Sequence, residues 1–369
     1  MPVTYRADHV GSLLRPPELV KARLNPGTNP AELTALEDQQ IVRVLARQKD
    51  AGLTIFTDGE FRRASFTSDF YESVEGLGEN AAVAREWIPA DERPRTLSGV
   101  RSTARVVVSK VRQTKRLTRH EMDFLKQKSP GDIKITLPTA NQFPALVYKD
   151  GISDAAYATR SDLLRDIVPI IRSEIASLVD EGAKYIQIDA PRYSYYIDPK
   201  WRRYIQDEMR MDPEAALDEA IRADNACLEG LHRPGVTFAI HLCRGNHRSH
   251  WYAEGGYDPI AEKLFTQLDV DLFLLEYESA RAGTFEPLRF VPKDKGVVLG
   301  LVSSKLPELE PQEQLVRRIE EASQYVPLEN LSLSPQCGFA STLEGNLLTE
   351  EEQWAKLRLV VDTAHKVWG

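Results

Sequence analysis

Two soft metal ligands separated by one residue, His241 and Cys243, close the apolar stretch FAIHLCRG at residues 238–245. Side chains alternate across a strand, so both point to one face at the strand's C-terminal end, a claw suited to a metal. Two further apolar runs end in the same way: DLFLLEYES delivers Glu276 and LSLSPQCGFAS delivers Cys337. Two thiolates, an imidazole and a carboxylate are ligand types that Zn2+ accepts in tetrahedral geometry. A His-x-Cys pair alone is a weak signal, whereas three strands each delivering a ligand at the same end form a strong one. Glu278 competes for the carboxylate position, and Glu276 is preferred because it terminates the apolar run directly. His247 and His250, in RGNHRSHW, read as loop residues near the pocket.

Positioning such ligands requires strands whose ends converge. Near-continuous apolar runs begin at YRADHVGSLLRP, LTIFTDGEF, DIKITLPTA and YIQIDAPRYSYY, and continue through FAIHLCRG, DLFLLEYES, GVVLGLVSS and LSLSPQCG. Segments of helical period separate them, among them PAELTALEDQQIVRVLARQKDAG and SDLLRDIVPIIRSEIASLVDEGA, where Pro169 marks a kink or a helical start. Apolar strands alternating with helices predict a parallel sheet. Eight such units closing on themselves make a TIM (β/α)8 barrel, here expected as a single domain over residues 1–369. An open doubly wound sheet would scatter the ligands; closure brings them to one mouth. From about residue 90 to 120 the pattern turns alternating and basic, in RSTARVVVSKVRQTKR, and predicts an inserted β-hairpin arm, solvated or else covering the pocket or a partner subunit.

In such a barrel, functional groups gather at the C-terminal ends of the strands. Ser12, Glu60 and Asp189 fall there beside the four metal-ligand candidates. Each alone is an ordinary cap or loop residue. Together they predict an active site, because burying this many polar and ionisable groups without a metal or ligand is costly. Tyr193, Tyr195 and Tyr196 follow Asp189 and offer either core packing or a stack for a flat ligand.

The composition, 42% hydrophobic and 28% charged, is that of a soluble globular chain, and 369 residues suffice for a large core. No apolar window is long enough to span a membrane and no signal-peptide pattern opens the chain, so a cytoplasmic protein without membrane association is expected. A net charge of -8 argues against nucleic-acid binding, which demands excess Lys and Arg. Three cysteines make no disulfide framework. Cys227 lies in the helical stretch EAALDEAIRADNACLEGL and reads as a structural thiol.

The motifs HVGSLLRP, TDGEF, QIDAP, HLC, LLE and SPQCG, in this order and spanning nearly the whole chain, resemble the catalytic barrel of the cobalamin-independent methionine synthase family, and especially its single-barrel relatives. The resemblance implies zinc on His241, Cys243, Glu276 and Cys337, and homocysteine held by Ser12, Glu60 and Asp189. It also marks departures. Ser303, Ser304 and Lys305 stand where the long enzymes have Asp-Ile-His, so the histidine used there to manage a proton is missing; position 190 is Ala rather than Glu; and the N-terminal barrel of the long form has no counterpart.

A free thiol is only a few per cent thiolate at neutral pH, and thiolate is the nucleophile. Zinc deprotonates a bound thiol. The expected activity is therefore zinc-dependent methyl transfer to a small thiol, homocysteine giving methionine. A methylated folate, a methylcorrinoid or its carrier protein, or another methyl compound would be the donor. Glu276, the hardest of the four ligands, is expected to yield its place to the substrate sulfur. The alternative is transfer of another thiol, such as a sulfonated one, to an epoxide or other alkyl donor, for which Arg63 and Arg281 would supply cations. A structural zinc in a scaffold protein fits poorly, since such sites are usually clustered knuckles.

Overall fold

The computed structural model describes residues 3–80, 87–90 and 104–369. Helix α1 (Pro30–Asp50) is capped by Asn29, whose side chain accepts the Ala31 N–H, and it leads into the short strand β1 (Ile55–Phe56). Strands β2 (Val74–Asn80) and β3 (Ala104–Gln113) pair antiparallel in a separate ribbon. Helix α2 (Arg119–Lys128), strand β4 (Asp132–Pro138), helix α3 (Arg160–Glu181) and strand β5 (Tyr185–Asp189) follow. The α3 helix carries a Thr159/Asp162 capping box and ends on Gly182 in the left-handed region; it runs through Pro169 without interruption. Helix α4 (Pro213–Leu228) precedes strand β6 (Thr237–Leu242), and helix α5 (Ala261–Gln267) precedes strand β7 (Leu272–Glu276). Strand β8 (Gly296–Val302), helix α6 (Gln312–Ala322), strand β9 (Leu331–Pro335) and helix α7 (Glu350–Trp368) complete the chain.

Seven of these strands form one curled parallel sheet in the order β1-β4-β5-β6-β7-β8-β9. The strands are buried on both faces, which is why their sequences are almost continuously apolar. Alternate residues separate the two faces. Ile186, Ile188, Phe238, Ile240, Phe273, Leu275, Val297 and Leu299 belong to the main core under the helices, while Tyr185, Ala239, Leu272, Leu274 and Val298 belong to a smaller cluster within the curl. His241 and Glu276 continue that inner row at the strands' C-terminal ends.

The expected first strand, in YRADHVGSLLRP, is instead an extended segment with a single parallel bridge, Ala7 to Leu333. Side chains take its backbone groups in place of a ladder. Lys134 donates to the His9 carbonyl, Gln187 to that of Val10, and Thr57 to that of Gly11. The segment thereby touches both edges of the sheet, β9 on one side and the β1 region on the other.

The expected arm at 90–120 also differs. Residues 91–103 lie outside the described residues, β3 pairs with β2 rather than with a strand inside that window, and Arg119 already begins a helix. Nor is β3 merely solvated. Of the strand's four valines only Val108 is exposed; Val106, Val107 and Val111 are buried, and the Val111 N–H donates to the Tyr157 hydroxyl.

Candidate metal and substrate site

Parallel register sets the site. Asp189 pairs with His241 across β5 and β6, and Glu276 ends β7 opposite Gly300 of β8. Cys243 lies two residues beyond His241 on the same face, and Cys337 follows β9 by two residues. One ligand atom from each of His241, Cys243 and Cys337 lies within 4.8 Å of the others, and all three residues are buried. Neither ring nitrogen of His241 has a hydrogen-bond partner among the described residues, although the residue is only 3% exposed. An imidazole buried that way costs about 1–3 kcal/mol per unmade bond, and native structures rarely leave it so without a ligand.

The two thiols act on each other. Cys337 and burial push the Cys243 thiol well up, while Cys243 and His241 draw Cys337 well down. A cation bound between them would displace thiol protons. A nitrogen and two sulfurs from separate strands fit a borderline-soft divalent cation such as zinc.

Glu276 lies outside this compact trio. One of its oxygens accepts the Arg244 N–H at 2.8 Å and the other pairs with Arg281 at 2.6 Å. Burial works against its charge, but Arg281, Lys305 and Arg244 outweigh it and hold the carboxyl at about 2. Glu278 shares Arg281 with it.

A cavity of about 580 Å³ opens on the trio, and Ser12, Glu60 and Asp189 line it as well. Ser12 comes against the Cys337 loop only because residue 338 is glycine, where a Cβ would stand 2.0 Å from the Ser12 Oγ. Glu60 adopts φ 59°, held by Asp58 accepting its N–H at 2.8 Å, a strained backbone of the kind found at functional sites. One Glu60 oxygen accepts the Thr136 hydroxyl at 2.9 Å; the other has no partner among the described residues. Burial raises the Glu60 carboxyl, and burial, with help from Glu60 and Cys337, pushes Asp189 up to about 7.

Of the three tyrosines after Asp189, only Tyr195 reaches the cavity, stacked on Trp201 at 4.2 Å. Tyr193 donates to Asp224 and Tyr196 to the Ala216 carbonyl, both within the core. The sequence reading missed the rest of the aromatic wall, Trp87, Trp201 and Tyr252, and also Asn246, which donates to the Gly338 carbonyl at 2.7 Å. A glycine before an aromatic-rich loop was the available signal: Gly245 sits at φ 95° with the Tyr252 ring where its Cβ would be. His247 lines the cavity, as expected of it, and Cys227 is buried in α4. Neither arginine that a sulfonated thiol would require is available. Arg63 is paired with Glu121 and Asp69, and Arg281 with the two glutamates.

Among the described residues no helix is long and apolar enough to cross a membrane. The catalytic-domain model of the cobalamin-independent synthase family matches residues 15–366. The uncharacterized protein YxjH of Bacillus subtilis (strain 168) is 39% identical over 372 residues, covering 99% of this chain and 95% of its own. A methionine synthase of Sulfurisphaera tokodaii is 26% identical over 336 residues, covering 89% of this chain and 84% of its own. Among solved structures, a Listeria monocytogenes protein assigned as a vitamin-B12-independent methionine synthase aligns with TM-score 0.74 at 29% identity, over 100% of this chain and 99% of that one. A match running almost end to end, on a chain whose buried His-Cys-Cys trio opens into a carboxylate-lined cavity, places it in the cobalamin-independent methionine synthase family, a family of methyltransferases.

Proposed function

We propose that this chain methylates homocysteine to methionine, as one (β/α)8 unit over residues 1–369 closed by its N-terminal segment. The observation that carries the reading is the buried His241 imidazole, whose ring nitrogens have no hydrogen-bond partner among the described residues, with a ligand atom within 4.8 Å of two thiols that line the same cavity. His241, Cys243 and Cys337 would hold zinc, with Glu276 as the fourth ligand. Bound there, zinc supplies a thiolate nucleophile at neutral pH.

The protein's own groups do the rest. The free oxygen of Glu60 and the carboxylate of Asp189 receive the substrate ammonium, and the Ser12 hydroxyl with neighbouring backbone receives its carboxylate. Glu276 is already bonded to Arg244 and Arg281, so it can leave the sulfur's position without being stranded as a bare charge. Trp87, Trp201 and Tyr252 wall off water on the side from which a methyl donor enters. A sulfur–carbon bond forms as the donor–methyl bond breaks.

The test is elemental analysis of the purified protein, followed by incubation with homocysteine and, separately, a methylated folate and a methylcorrinoid, with methionine read by mass spectrometry. Stoichiometric zinc and methionine from one donor are expected. Zinc-loaded protein that makes no methionine from any donor overturns the proposal.

A further inference from the structure

Lys305, a buried cation at the mouth of the sheet, only 2% exposed, has neither an ion pair nor a hydrogen bond to its ammonium among the described residues. A bare ammonium in that setting is costly unless negative charge stands near it. The turn that carries it is fastened on several sides. Ser303 Oγ accepts the N–H groups of Lys305 and Leu306 at 3.1 and 3.3 Å. Ser304 donates its N–H to Gln336 at 2.6 Å and its hydroxyl to the Gly338 carbonyl at 3.1 Å, while Asn346 donates to the Ser304 carbonyl at 2.7 Å. Strand β8, which leads into this turn, pairs with β7 so that Gly300 faces Glu276. Lys305 is therefore held between the strand that carries Glu276 and the loop that carries Cys337.

The other cations here are committed. Arg281 is shared by Glu276 and Glu278, and the Arg244 guanidinium donates to Gly255, Ala282 and Glu276 carbonyls and to Tyr257. On the proposed reading, two thiolates and Glu276 already offset a divalent cation, and a substrate thiolate would add one more negative charge among buried groups. Resting on that reading, we propose that Lys305 is a positioning residue, the fixed counter-ion that admits the substrate sulfur as a thiolate and distinguishes it from a neutral sulfur.

The consequence separates two ligands of nearly equal shape. Homocysteine enters as an anion at sulfur, whereas methionine carries a neutral thioether. Calorimetric titration of the zinc-loaded protein, Lys305→Met, Lys305→Gln and Lys305→Arg with each ligand reads the difference. Both neutral variants should keep their zinc, bind homocysteine about tenfold more weakly or worse, and bind methionine within about twofold of the parent; Lys305→Arg should recover part of the loss. Equal weakening for both ligands, or none for either, overturns the inference alone. A parent protein that holds no zinc, or does not bind homocysteine, overturns the reading of the site and this inference with it.

Discussion

Two buried polar clusters occupy opposite ends of the same sheet, and they are built on different terms. At the N-terminal end, Asp8 accepts Lys134 Nζ and the Tyr185 hydroxyl, each at 2.7 Å, and Lys134 also donates to the His9 carbonyl. At the C-terminal end, His241, Lys305 and one oxygen of Glu60 have no partner among the described residues. Both clusters are equally buried, so burial does not distinguish them. Pairing of the charges does: in the first, Asp8 and Lys134 satisfy each other, whereas in the second the charged and ring groups are left for something that binds. That is the division between the two faces expected of a sheet of this kind.

The hardest test of this contrast is removal of a sulfur. Cys337→Ala should lose metal and reduce methyl transfer to background, while the melting temperature of the metal-free protein shifts by no more than about 2–4 °C. Elemental analysis, the transfer assay and a thermal scan check it together. A variant that keeps its zinc breaks the contrast at the functional end.

The opposite end should respond in stability and not in binding. Lys134→Met leaves Asp8 as a buried charge without its cation and should cost about 3–5 kcal/mol in urea unfolding. Zinc content should be unchanged. Adding Asp8→Asn should recover much of the loss, since replacing both partners removes the stranded charge.

How far this contrast was legible in the sequence depends on the kind of residue. His241, Cys243, Glu276 and Cys337 announce themselves because each closes an apolar run, and strand alternation alone puts them on the inner face. Burial and satisfaction are not local properties. Lys134 and Lys305 are both lysines near the ends of apolar strands, yet one meets Asp8 across 126 positions and the other has no hydrogen-bond partner among the described residues. The β2–β3 pairing was hidden for a related reason: a register such as Val74 with Gln113 joins residues far apart, and neither strand carries turn chemistry that names its partner. The first strand was over-read because side chains from Lys134, Gln187 and Thr57 do the work of a ladder there, and an apolar run cannot reveal that. Trp87, Trp201 and Tyr252 come from connecting segments whose place at the cavity depends on the finished fold.

Asp224 sharpens the comparison with a third case, a carboxylate that is fully bonded but has no ion-pair partner among the described residues. Thr139, Asn141 and Tyr193 donate to it, yet burial outweighs them and pushes it up to about 6, from an ordinary 3.8. Because the folded value lies above the unfolded one, the native state holds a proton that the unfolded chain has released between about pH 4 and 6. Stability from this group is therefore present below about pH 4 and is lost as pH rises through 6, by roughly 3 kcal/mol. The difference between parent and Asp224→Asn in urea unfolding, followed from pH 4 to 7, isolates that slope. Parallel curves would mean that hydrogen bonds alone satisfy a buried carboxylate as well as Lys134 does.

The smallest effect expected falls on Glu60, where the two kinds of cluster meet in one side chain. Its Oε1 is satisfied by Thr136, which in turn accepts from Arg63, and its Oε2 has no partner among the described residues. Glu60→Gln keeps the bonded half and removes the charge offered to the ligand. Arg63 stays paired with Glu121 and Asp69, so the fold should tolerate the change. Loss of one charged hydrogen bond to an ammonium is worth about 1.5–3 kcal/mol, so KM for homocysteine should rise about ten- to a hundredfold with kcat and zinc content little changed. A thiol of the same length without the amino group would bind parent and variant alike. If that analogue instead loses affinity in step with homocysteine, Glu60 is not the ammonium's partner, and its unpaired oxygen belongs with the architecture rather than with the ligand.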